Sequence, residues 1–174
     1  MASILEFLDR LLGFLDRGGN AMPFILLLSL CMWVLILERY WFLRFTFPQE
    51  LARAQATWDS RRERRSRTAR YVRMHLAASL GASARRTLPI IRTLVQVLPL
   101  LGLLGTVTGM IETFEVIAVY GGSNRRGIAG GISEALLCTL AGLVTALSGL
   151  YFAINLDQNA RRAEEQTACA LSYE

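Results

Sequence analysis

The sequence predicts an all-α integral membrane protein with three transmembrane helices and long helices extending into the cytoplasm. Three observations carry that prediction. Of 174 residues, 53% are apolar and only 19% charged, against about 25% charged in an ordinary soluble domain. The mean hydropathy is +0.36. The apolar residues are gathered into three stretches, and the cations, all arginines, are gathered into the segment after the first of them.

The chain is expected to form a single domain over 1–174. It opens with an amphipathic segment, 1–19, in which Ile4, Leu5, Leu8, Leu11, Leu12 and Leu15 recur at helical spacing beside Phe7 and Phe14. Glu6, Asp9 and Arg10 interrupt what would be the apolar core of a secretory signal, and the cationic start of such a signal is missing. A helix lying on the outer membrane face fits better. Gly18-Gly19-Asn20 breaks it, and Pro23 suits the first turn of the next helix.

The first span is placed at 22–43. Met22 to Leu37 carries no charge, and Tyr40-Trp41-Phe42 then forms an aromatic belt at headgroup level. The second span, 98–120, is broken only by Gln96 just before it and by Glu112 and Glu115 near its outer end, which are expected to pair with Arg125 and Arg126. The third span, 128–156, holds one charge, Glu134. Each reaches the roughly 20 apolar residues needed to cross the hydrocarbon core.

Between the first two spans, 44–97 reads as an Arg-rich helical loop. It is helix-permissive from Pro48 to Leu80, is loosened at Gly81 and Ser83, and resumes as a helix near Arg85. Thirteen of the nineteen arginines lie between residues 38 and 97. The positive-inside rule therefore puts this loop and the tail 157–174 in the cytoplasm and the N-terminus on the opposite side. Arg61, Arg62, Arg64, Arg65 and Arg67 are dense enough to meet anionic lipid, each cation near a leaflet contributing about 1 kcal/mol. Nucleic acid is not an expected partner, because the cluster lacks interleaved aromatics or a reading module.

The same composition excludes much chemistry. Without lysine there is no P-loop or Schiff-base lysine; His75 is the single histidine; Cys31, Cys138 and Cys169 lie far apart. Neither a metal site nor an enzyme is expected, and no cofactor beyond protons as a coupling ion.

The second and third spans carry the functional signal. Pro99, Gly102, Thr106, Gly109 and Thr113 alternate at three and four residues, one stripe on a helix. Glu134, Cys138, Ala141, Thr145 and Ser148 fall within about 40° of one another on the next helix. Gly102, Gly105, Gly109, Gly142 and Gly149 are the candidates for close helix packing, Gly105-x-x-x-Gly109 being a small-xxx-small pair. Glu134 is the exception to a packing explanation. An acidic residue at a span centre costs about 2.5–3.5 kcal/mol, so it must face a cavity, a partner or a proton. With the connection centred near Asn124, Thr113 falls level with Glu134 or Ala135, and Thr106 near Thr139 to Gly142. Hydroxyls and one carboxyl then share a band inside the membrane, as a hydrated ion path or a seat for another charged helix would require.

Pro99–Phe114 (P-L-L-G-L-L-G-T-V-T-G-M-I-E-T-F) and Gly131–Leu143 (G-I-S-E-A-L-L-C-T-L-A-G-L) resemble the paired signatures of the ExbB/TolQ/MotA proton-channel family. The Leu37-Glu38-Arg39-Tyr40 boundary is similar to that family as well. Three spans fit the ExbB or TolQ kind better than four-span MotA stators, and the chain resembles a short ExbB-type biopolymer transport protein. The resemblance implies a pentamer in the bacterial inner membrane around a dimeric, single-span ExbD-like partner whose intramembrane Asp carries protons. A TonB-like transducer would then deliver the work to transport through the outer membrane. It also implies that Thr106, Glu134 and Thr139 line the proton path, to which the stripes add Thr113 and Thr145. Glu112 departs from the neutral or His residue common at that position. A TolQ-type subunit serving envelope integrity and a passive membrane scaffold are the alternatives.

Overall fold

The computed structural model describes residue 6 and residues 18–19, 21–60, 67–121 and 124–170. Among these the regular structure is helical throughout. Helix α1 spans Met22–Trp41, a π-turn follows at Phe42–Thr46, and α2 spans Phe47–Asp59. Helices α3 (Arg67–Arg85), α4 (Leu88–Tyr120) and α5 (Arg125–Ala170) complete the order. Three helical runs, Met22–Trp58, Arg70–Tyr120 and Arg125–Cys169, are long and apolar enough to cross a membrane. The predicted amphipathic helix at 1–19 and Arg61, Arg62, Arg64 and Arg65 lie outside the described residues, apart from Glu6, Gly18 and Gly19. Arg67 opens α3 and is exposed.

Local chemistry explains the element ends. Gly19 takes a left-handed φ of 65°, and its carbonyl accepts the Met22 N–H at 3.1 Å, so the chain turns directly into α1. Pro48 has no N–H to continue the ladder. The Phe47 N–H reaches back to the Phe42 carbonyl instead, which widens the helix by one residue into the π-turn. Helix α4 stops where Gly121 turns left-handed at φ 66°. Asn124 caps α5, its side-chain oxygen accepting the Gly127 N–H at 3.2 Å.

The expected loosening at Gly81 and Ser83 does not occur. Helix α3 runs through both, because Leu80 and Ala84 are buried on either side of them and the Ser83 hydroxyl satisfies the Leu80 carbonyl at 2.9 Å. The break comes at Arg86-Thr87, just before Pro89, whose ring would clash with the preceding turn but suits the first turn of α4.

The chain divides into two compact units. The first joins Met1–Met32 to Thr93–Leu150, the second Trp33–Arg92 to Tyr151–Glu174. In the first, α4 and α5 meet along small residues, and Met32 is buried against the positions of Gly149 and Val95. In the second, Trp58 packs on Leu76 and Ala77, and Trp33 meets the Phe152 ring edge-on at 5.1 Å. Arg92 pairs with Asp157 at 2.8 Å, Arg161 joins the same carboxylate at 3.1 Å, and Arg85 pairs with Glu164. Large apolar side chains remain outward on every long helix; Leu30, Leu100 and Leu147 are each more than 60% exposed. Such surface calls for lipid or for neighbouring protein.

Candidate functional site

The site is built on the α4/α5 seam. A Cβ placed on Gly142 would lie 2.7 Å from the Leu98 carbonyl oxygen, and one on Gly102 would lie 3.1 Å from both the Cys138 oxygen and the Thr139 Cα. These are backbone atoms and cannot step aside, so only glycine permits this approach. Gly105 faces the Cys138 side chain and Ala21. Gly109 faces Ala135 and the Gly131 carbonyl, and Gly149 faces Met32. Gly131 and Ala135 complete the seam, although the stripe analysis does not single them out.

The register differs from the expected one. Thr113 stands against Gly131, not Glu134, and Gly109 stands against Ala135. The two helices are therefore offset by nearly a turn from a connection centred on Asn124. Helix α4 ends at Tyr120 and Asn124 already caps α5, so the true midpoint falls between them. The expected pairing of Glu112 and Glu115 with Arg125 and Arg126 is not formed among the described residues. Both arginines are exposed on the first turn of α5, where solvent weakens such pairs.

The hydroxyls share one property. Thr106 donates to the Leu103 carbonyl at 2.7 Å, Thr113 to Gly109 at 2.8 Å, Thr145 to Ala141 at 2.7 Å, and Ser148 to Thr145 at 2.8 Å. Each spends its proton on its own helix, which satisfies it inside an apolar environment and leaves its oxygen lone pairs to accept. Thr139 differs, because its hydroxyl crosses the seam to the Gly102 carbonyl at 3.1 Å. Thr113 is buried in the seam, whereas Thr106, Thr139 and Thr145 are half-buried.

Glu134 is half-buried on α5, and its carboxylate lies directly against Gly19. One turn further on, the Cys138 thiol donates to the Gly18 carbonyl. The Gly18-Gly19 turn thus rests on the third span at the carboxyl. Sequence reasoning takes that pair as a helix break alone; the signal for more is the second glycine, since one suffices to break a helix. Arg39, in the Leu-Glu-Arg-Tyr boundary, is likewise structural. It is only 2% exposed, donates to the Ser83 carbonyl of α3, and holds its guanidinium 4.6 Å from the centre of the Phe42 ring.

Chemically, α4 and α5 offer one half-buried carboxyl and hydroxyls whose protons are committed to backbone carbonyls, leaving their oxygens to accept hydrogen bonds. Comparison with known proteins agrees with that character. Residues 47–168 match the model of the MotA/TolQ/ExbB proton channel family. The chain is 42% identical over 84 residues to the putative biopolymer transport protein ExbB-like 3 of Synechocystis sp., covering 43% of this chain and 40% of that protein. It is 38% identical over 72 residues to the biopolymer transport protein ExbB of Pseudomonas putida, covering 41% and 22%. With the ExbB of Aquifex aeolicus it shares 39% over 70 residues, covering 40% and 47%. The matched stretch spans less than half the length of each of these relatives. With three apolar spans, the paired Gly/Thr signatures and a family match across most of its length, the chain belongs to the MotA/TolQ/ExbB proton channel family.

Proposed function

We propose that this protein is an ExbB-type subunit of a proton-motive-force-driven motor in a bacterial inner membrane, energising TonB-dependent transport across the outer membrane. Five copies would surround the transmembrane helices of a dimeric ExbD-like partner, whose acidic residue completes a relay with Glu134. Thr106 and Thr139 flank that path, with Thr145 further along α5. Thr113 supports the seam behind it. The observation that carries this reading is a half-buried carboxyl in an otherwise uncharged apolar span, on a helix pair whose hydroxyl protons are already committed to backbone carbonyls.

Relatives named as ExbB support this type over the TolQ type. By the distribution of arginine, the N-terminus faces the periplasm and the C-terminus the cytoplasm. The test is proton uptake into liposomes holding this chain together with an ExbD-like partner. Glu134→Gln and Thr106→Val should abolish the flux while insertion and oligomer size stay unchanged. Normal flux through both variants would instead indicate a passive scaffold.

A further inference from the structure

A second site lies within the second unit. A cavity of about 370 Å³ opens between the π-turn region and α5. Arg44 and Arg162 line it together with Tyr40 and Asn159, and Leu43 and Phe47 supply an apolar floor. Among the described residues neither guanidinium is paired with a carboxylate, although four acidic groups elsewhere in the chain (Glu50, Glu134, Asp157 and Glu164) have close neighbours. Two guanidinium groups lining one cavity with an apolar floor, neither paired with a carboxylate, suit a ligand with an anionic head and an aliphatic body.

The position of the cavity selects among such ligands. The charge-free run of α1 ends at Leu37, and Tyr40 and Trp41, both more than half exposed, follow within a turn. The apolar run of α5 ends at Leu156, and Asn159 and Arg162 follow within two turns. Both walls therefore begin where the hydrocarbon ends, on the arginine-rich side. The π-turn contributes Leu43 and Arg44 to the lining, a local widening of the kind that re-aims side chains at functional positions.

We infer that this cavity is a binding site for one anionic phospholipid per chain, its phosphate held between Arg44 and Arg162 and its acyl chains running from the Leu43–Phe47 floor into the bilayer. The site is distinct from the Arg61–Arg67 cluster, and it does not rest on the proton-path reading.

The test uses the full chain in phosphatidylcholine nanodiscs doped with phosphatidylglycerol, with retained lipid counted by native mass spectrometry. Wild type should keep one phosphatidylglycerol. Arg44→Gln and Arg162→Gln should each weaken retention about fivefold, and the pair about 25-fold, as expected for about 1 kcal/mol per cation at a leaflet. Arg53→Gln, which removes a charge outside the cavity, should change nothing. Leu51→Trp, which fills the cavity and keeps both arginines, should also lose the lipid, so the test survives if the double variant fails to insert. Equal retention of phosphatidylcholine, an equal loss in Arg53→Gln, or full retention in Leu51→Trp and in both single arginine variants would overturn the inference. Displacement of the lipid by millimolar glycerol phosphate would also overturn it, by showing that a free phosphate suffices.

Discussion

Thr139 donates its hydroxyl proton across the seam to the Gly102 carbonyl at 3.1 Å, while a Cβ on Gly142 would meet the Leu98 carbonyl a turn earlier at 2.7 Å and the Gly102 Cα at 3.1 Å. One residue on the polar face thus also fastens the two helices. Thr139→Val should cost about 0.6–1 kcal/mol of stability in mixed-micelle unfolding, the worth of an interhelical hydrogen bond in such a medium. Thr139→Ser should restore it. If Ser restores stability and proton flux in parallel while Val loses both, fastening is the residue's main role. Loss of flux in Val beyond that expected from its stability would mark a direct part in the path.

The seam makes a graded prediction at its glycines. A methyl at Gly142 meets the Leu98 carbonyl at 2.7 Å, one at Gly102 meets backbone at 3.1 Å, and one at Gly130 meets nothing within 4 Å. Gly142→Ala should therefore destabilise by about 1–3 kcal/mol, the usual cost of forcing extra volume into a packed interface. Gly102→Ala should cost less. Gly130→Ala should be neutral or stabilising by up to about 1 kcal/mol, since alanine favours a helix over glycine. Thermal unfolding of the three variants in one detergent gives the order directly, and a Gly130 variant as damaged as Gly142 would refute the packing account.

The spans were legible because lipid leaves a chain few options: backbone groups must be satisfied internally, so long uncharged runs such as Ile128–Leu156 become helices. The close approach of Gly102 and Gly142 was likewise legible from spacing. The register was not, because it depends on where Gly121 turns left-handed and Asn124 caps, and composition does not reveal either. The break at Pro89 was obscured by Gly81, whose low helix propensity is overridden by the buried Leu80 and Ala84. The contact of Gly19 with Glu134 joins residues far apart in the chain, and no local pattern encodes it.

That contact yields a double-mutant cycle. Gly19 is held at a φ that costs a non-glycine residue about 1–2 kcal/mol, and any Cβ there would also overlap the Glu134 carboxylate. Gly19→Ala should therefore be more destabilising in wild type than in a Glu134→Ala background, where only the backbone cost remains. The expected coupling is within the roughly 0.5–3 kcal/mol typical of touching residues. Additive effects would show that the turn does not rest on the carboxyl in the membrane-embedded protein.

Arg39 tests how α1 is tied to α3. Its guanidinium is buried, donates to the Ser83 carbonyl, and lies over the Phe42 ring at 4.6 Å from its centre, a cation–π contact. Glu50 reinforces the same point by accepting the Ser83 hydroxyl at 3.2 Å. Arg39→Leu removes the donor and leaves that part-buried carbonyl without it, at an expected cost of about 1.5–3 kcal/mol. Arg39→Lys should recover little of this, since an ammonium keeps the charge but neither the planar fork nor the stacking geometry. Limited proteolysis in α3 should accelerate in both variants, because that helix loses its anchor to the first span. Full recovery by lysine would mean that charge alone holds the two helices together, and the planar fork of the guanidinium would then have no structural part.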